Sequence, residues 1–177
     1  MLIRENTVLI VVDIQGNLAR VMDDQAFLIE NNRKLIRGMH VFGIPILVTE
    51  QNPLGATIPE IADLLPGVRA ITKDAFSCCA DEKFMSAVRT LNRRQILMTG
   101  IEAHVCVYQT AMDLLARGYE VHVAADAVSS RTARNRDIGI RKLTATGAFL
   151  TSAEMALFEL LKTAVDPKAK DIFKIIK

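Results

Sequence analysis

Three side chains able to do covalent or proton-transfer chemistry each lie past the end of a short apolar run. Asp13 closes Val8–Val12, Lys73 follows Ala70-Ile-Thr72, and Cys106 lies just past Gln95–Thr99, in Gly100-Ile-Glu-Ala-His-Val-Cys106-Val. In parallel α/β sheets, ligands sit beyond the carboxyl ends of the strands. A thiol placed there is a nucleophile, a carboxylate is a proton acceptor, and an ammonium is a charge partner for both. Each residue also has an ordinary reading. Asp13 fits a turn or cap, Lys73 a solvated lysine behind an edge strand, and Cys106 a packed core thiol. The chemical reading of Cys106 draws on its expected place in the first turn of a helix. That end carries partial positive charge. Beside a cation it lowers a thiol pKa from ~8.5 to ~3.5–7.5.

The competing reactive groups are weaker. Cys78 and Cys79 follow Phe76-Ser77 in a loop and read as packing residues. Adjacent Cα atoms lie only ~3.8 Å apart, too close for an unstrained bridge. The three histidines have no metal-site spacing: His40 is late in a helix and His122 is inside a strand. His104 is two residues from Cys106, and i, i+2 side chains on a helix do not face each other. If His104 precedes the helix, a Cys–His dyad stays open. No phosphate-binding glycine loop is present.

The elements that must position these groups alternate along the chain. Strands are expected at Thr7–Val12, Ile44–Thr49, Ala70–Thr72, Gln95–Thr99, Glu120–Ala124 and Phe149–Thr151. They read as nearly continuous apolar runs, as strands buried on both faces should. Helices are expected at Gln25–Val41, Asp81–Leu91 with Asp81 as N-cap, Val105–Arg117, Asn135–Thr146 and Ser152–Leu161. Gln51–Gly67, with three prolines and two glycines, reads as a long surface loop. The tail Asp166–Lys177 reads as a docking helix, with a second subunit as one surface for it. Strands alternating with helices indicate a parallel sheet covered on both faces.

Composition narrows the class. The 177 residues are half hydrophobic, 24% charged and 5% aromatic, too apolar for a disordered chain. Three cysteines are too few, and odd in number, for a disulfide scaffold. Apolar runs such as Val8–Val12 fall far short of the ~20 residues of a membrane helix. The start Met1-Leu-Ile-Arg-Glu-Asn has no signal pattern, so a cytoplasmic protein with reduced thiols is expected. Lys+Arg number 22 against 20 Asp+Glu, which argues against a nucleic-acid partner. The local excess Arg131, Arg134, Arg136, Arg141 and Lys142 reads as a solvated helix face. High apolar content with few aromatics also leaves apolar surface for a homo-oligomer, a dimer or larger.

Four segments in this order carry a resemblance: Val11-Val-Asp13-Ile-Gln15, Lys73-Asp-Ala-Phe76-Ser77, Gly100-Ile-Glu-Ala-His-Val-Cys106-Val and Asp126-Ala-Val-Ser-Ser-Arg131. Together they resemble the isochorismatase-like cysteine hydrolase superfamily, from Val8 to about Leu160. The small stand-alone isochorismatase-domain proteins share similar Thr-Glu-Gln-Asn-Pro and Gly-Ile-Glu-Ala-His-Val-Cys stretches. The resemblance implies a Rossmann-like, three-layer α/β/α fold over residues 1–177. It has a six-stranded parallel sheet of order 3-2-1-4-5-6. It also implies an Asp–Lys–Cys triad, which maps onto Asp13, Lys73 and Cys106. The oxyanion would be held by the backbone N–H groups of Glu102 and Cys106, with a cis peptide at Ile101–Glu102.

Gln15, Glu50, Gln51 and Phe76 are candidates for the substrate pocket. Ser129, Ser130 and Arg131 read as a structural loop, with Asp126 as a cap. Two departures from relatives matter. Nicotinamidase-like members bind a metal through an Asp-x-His motif, where this chain has Thr49-Glu-Gln-Asn-Pro53; no catalytic metal and no cofactor are expected. Isochorismatases proper often lack the cysteine, so Cys106 points to amidase-type chemistry on a small amide, imide or ureido-like compound. Two other readings stand beside it: a non-catalytic binding or assembly module that keeps the fold, and a redox-sensing thiol protein.

Overall fold

Six runs of aliphatic and β-branched residues line up side by side, all pointing the same way. The computed structural model describes residues 1–177. Its strands are β1 (Thr7–Val12), β2 (Ile46–Gln51), β3 (Ile71–Lys73), β4 (Gln95–Ile101), β5 (Glu120–Ser129) and β6 (Phe149–Thr151). They form one parallel sheet of order β3-β2-β1-β4-β5-β6. The helices are α1 (Gly16–Arg20), α2 (Gln25–Phe42), α3 (Pro59–Ala62), α4 (Glu82–Leu91), α5 (Cys106–Ala116), α6 (Ala133–Ala145), α7 (Ala153–Leu161) and α8 (Ala169–Ile176).

Every residue of β1 is buried, and its alternation divides the core into two layers. Leu9 and Val11 join Leu35, Ile36 and Leu157 on one face. Val8, Ile10 and Val12 join Val88, Met98 and Val107 on the other. Each such side chain contributes about 1.5–3 kcal/mol when removed from water. Strand order reverses direction between β1 and β4, so a crevice opens beyond their carboxyl ends. Asp13 follows β1 and Cys106 begins the helix after β4.

Local chemistry accounts for the helix ends. Asp81 accepts from the amides of Lys83 and Phe84 at 2.8 and 3.2 Å, as its N-cap reading requires. Gly43, with φ 69°, ends α2 in the left-handed conformation that glycine tolerates.

Three expectations shift. β2 starts two residues late because Gly43 through Pro45 carry the chain out of α2; Ile44 N–H still bonds Met39 O at 2.9 Å. β5 runs on to Ser129 because pairing with β4 resumes, Gly100 to Val128 and Ile101 to Ser129, beyond an irregularity after Met98. The segment expected as a long loop contains α3, anchored by buried Ile58, Ile61 and Leu65. α8 docks on its own chain. Its Ala169 and Ile172 are buried in the layer that includes α2 and α7, and Phe173 meets Phe158. No helix is long and apolar enough to cross a membrane.

Candidate active site

At the end of β1 the chain turns sharply. Asp13 takes φ 52°, a left-handed conformation that Asp adopts more readily than most residues, and one that concentrates at functional sites. Its amide still bonds Thr49 O at 3.2 Å, so the turn leaves the β1–β2 pairing intact. The carboxylate is thereby fixed at the sheet's end, 1% exposed.

Lys73, the last residue of β3, is 2% exposed. Its Nζ donates to Asp13 Oδ2 at 2.7 Å, to Gln51 Oε1 at 3.1 Å, and to the carbonyls of Ala75 and Phe76 at 3.1 and 3.3 Å. A buried charge is tolerated only when paired and hydrogen-bonded, and this ammonium is both. Asp13 Oδ1 accepts from Thr49 Oγ1 at 2.7 Å, so both carboxylate oxygens are held.

Cys106 opens α5 and is 8% exposed. Its Sγ donates to Gln51 Oε1 at 3.5 Å. Burial pushes the thiol up to about 12; the negative charge of Asp13 adds to this and the Lys73 ammonium opposes it. This direction runs against the lowering expected of a helix N-terminus, with desolvation in a nearly closed site the first of its causes. Cys78 Sγ donates to Thr49 Oγ1 at 3.7 Å, and burial pushes its thiol up to about 11.

The Ile101–Glu102 peptide is cis. Glu102 is held from two sides. Its carbonyl accepts from Val105 N at 3.0 Å and Val107 N at 3.2 Å. Its carboxylate accepts from the amide and Nε of Arg131 at 3.2 and 3.1 Å. Its own N–H meets no acceptor in the chain. Cys106, first residue of α5, carries one of the amides that a helix leaves without an intrahelical partner.

The structure thus brings Asp13, Lys73 and Cys106 together, and it sorts the remaining candidates. Gln51 belongs with them, touching both Lys73 and Cys106. Glu50 does not. Successive strand residues face opposite sides, and its carboxylate accepts from the amide and hydroxyl of Thr57, both at 2.7 Å. Gln15 is a clamp rather than a pocket wall. It is fully buried, its Nε2 donates to Gln51 O and Gly55 O, and its Oε1 accepts from Gln51 N. No polar hydrogen of its side chain is left for a substrate. The Phe76 side chain is 53% exposed and not the packed wall expected; its carbonyl is what reaches Lys73. His104 bonds Ser130 Oγ at 2.9 Å rather than Cys106, which removes the dyad.

Thr49 was missed, as was the grip of Arg131 on Glu102. Thr49 looks like any β-branched strand residue. Its placement two before Gln51, on the same face, was the available signal.

Comparison with known proteins agrees with this fold. The Isochorismatase domain profile matches residues 7–155. The secreted isochorismatase effector Isc1 of Phytophthora sojae is 36% identical over 99% of this chain and 87% of its own. A solved Caenorhabditis elegans protein described as Mar1 ribonuclease superposes with TM-score 0.93 at 35% identity, covering 99% of this chain and 91% of its own. The Escherichia coli YcaC product, described as an octameric hydrolase of unknown specificity, shares the fold with TM-score 0.92 at 21% identity, covering 98% and 89%. On the profile match and these identities, the chain belongs to the isochorismatase family.

Proposed function

We propose that the chain is a cysteine hydrolase that cleaves an amide-type C–N bond of a small molecule through a thioester on Cys106. One observation supports this above the others. A thiol and a buried Asp–Lys ion pair meet at one strand-end crevice, linked through Gln51 Oε1.

Because the resting thiol is held up to about 12, its proton leaves during attack and not before. Asp13 accepts that proton as Sγ bonds to the substrate carbonyl carbon. The N–H groups of Glu102 and Cys106 stabilise the oxyanion. Collapse of the tetrahedral intermediate breaks the C–N bond. The proton on Asp13 goes to the departing nitrogen, and ammonia or an amine leaves. Water then attacks the thioester while Asp13 takes its proton. A carboxylic acid departs and that proton returns to sulfur. Lys73 holds Asp13 in place throughout, through their 2.7 Å contact, and the reading calls for no metal.

The raised thiol weighs against any reading that needs a resting thiolate, redox sensing included; the hydrolase reading meets it only by passing the proton to Asp13 during attack. The name of the C. elegans relative raises RNA as a substrate. Reacting groups at most 8% exposed suit a small molecule better than a polymer flanked by more chain.

The test is a panel of small amides, imides and ureido compounds, with release of ammonia or amine followed for wild type and Cys106→Ala. Turnover in wild type, absent from the variant, with an acyl adduct on Cys106 by mass spectrometry, is expected. Undiminished turnover by Cys106→Ala overturns the assignment. Exposed Phe149, Leu150, Met155 and Phe158 on β6 and α7 support self-association as well. Light scattering should give a mass above that of one chain.

A further inference from the structure

We infer that Gln51 is a latch on the resting nucleophile: its amide oxygen holds the Cys106 thiol protonated and must withdraw before sulfur attacks. The inference rests on the cysteine-hydrolase reading and deepens it by naming a positioning residue outside the triad.

The orientation of the amide is set by Lys73. An ammonium only donates, so the atom 3.1 Å from Nζ is the acceptor Oε1, and the same atom lies 3.5 Å from Cys106 Sγ. Turning the amide round would set Nε2 against Nζ, two donors in opposition. Gln51 therefore offers sulfur an acceptor and nothing else. An acceptor stabilises S–H, and its lone pairs repel S⁻. It also occupies one side of the sulfur and engages one of the Lys73 hydrogens. A ligand whose carbonyl carbon reaches Sγ meets this oxygen as its neighbour.

The latch can move without the strand. Gln15 bonds Gln51 through both backbone N–H and backbone carbonyl, at 2.7 and 3.0 Å. The main chain at Gln51 stays pinned whatever its side chain does. Withdrawal of Oε1 removes a lone-pair acceptor from beside the sulfur at the moment negative charge develops on it.

The experiment is alkylation of the full chain by iodoacetamide between pH 6 and 10, with Cys106 labelling followed by mass spectrometry and Cys106→Ala as the blank. Gln51→Leu, similar in volume and without an acceptor, should lower the apparent pKa of Cys106. The rate at pH 7 should rise about tenfold, the change in thiolate fraction for one pK unit. Gln51→Glu, an acceptor with added negative charge, should slow labelling. If Gln51→Leu unfolds, as read by circular dichroism, Gln51→Met gives the same reading. A thiol pKa unchanged or raised on loss of the acceptor overturns the latch. Labelling does not depend on turnover. A shifted profile with no amide hydrolysed would sink the hydrolase reading alone, and hydrolysis with an unshifted profile would sink the latch alone.

Discussion

Lys73 is among the largest fully buried side chains of the molecule, and it is a cation. Its 2.7 Å pairing with Asp13 is what makes that burial tolerable, so the pair is structural as well as chemical. Removing one partner strands the other charge, at a cost of roughly 3–5 kcal/mol. Asp13→Asn and Lys73→Met should each lose stability on that scale in urea titrations. The double variant, with no charge left to strand, should regain most of it while remaining inactive. Single variants that melt like wild type would show that the pair bears no structural role. Asp13 and Lys73 were conspicuous because each directly follows an apolar run, whereas six residues separate Cys106 from one and its grouping with them came from the family resemblance. Gln51 was legible as a neighbour of the site but not as a contact of the sulfur. Glu50 was left open between pocket and surface although the period of two already sets it opposite Gln51. Phe76 illustrates a different limit, since an aromatic type says nothing about which of its atoms, ring or carbonyl, meets the site.

At the scale of elements, the turn before α5 is shaped from behind by α6. Gly139 is buried, and a Cβ there would lie 2.8 Å from Ala103 O and 2.9 Å from His104 Cα. Two effects oppose each other in Gly139→Ala. Helix propensity favours alanine by about 0.8–1 kcal/mol, whereas forcing a group into a packed contact costs typically 1–3 kcal/mol. The contact is with backbone, which yields little, so the clash should win and the melting temperature should fall. Ala103 and His104 lie between the two amides assigned to the oxyanion, so turnover should fall as well. A stabilised, fully active Gly139→Ala would mean that α6 slides freely over the turn. Apolar runs located all six strands, because burial on both faces demands such runs. The extension of β5 through Ala-Asp-Ala-Val-Ser was hidden, since Asp126 interrupts the run. Asp126 instead caps α7, accepting from Ala153 N at 2.8 Å. α1 was hidden too, because five residues give no helical period to read.

For the whole molecule, the two faces of the sheet differ chemically. All three cysteines lie in the layer with Val88 and Val107, none in the layer with Leu35 and Leu157. Burial raises every one of them above its ordinary value of 9.0: Cys78 to about 11, Cys79 to about 12, Cys106 to about 12. A group whose folded pKa is raised binds its proton more tightly in the native state. The stability it contributes is whole below the unfolded pKa and drains away as pH rises through the folded one. The window therefore opens near pH 9 and closes at about 12. One pK unit is about 1.4 kcal/mol, so three thiols together should remove on the order of 4 kcal/mol by one unit above the unfolded pKa. Lysines and tyrosines titrate in the same range, so the decisive quantity is a difference between chains. Denaturant titrations at pH 8 and pH 10 should show a smaller loss for Cys79→Ala than for wild type, and a smaller one again for Cys79→Ala with Cys106→Ala. Each substitution should spare about a third of the thiol contribution. An identical loss in all three proteins would mean that the thiols ionise as readily folded as unfolded. The closed, desolvated layer that keeps Cys106 protonated until a substrate arrives would then not exist.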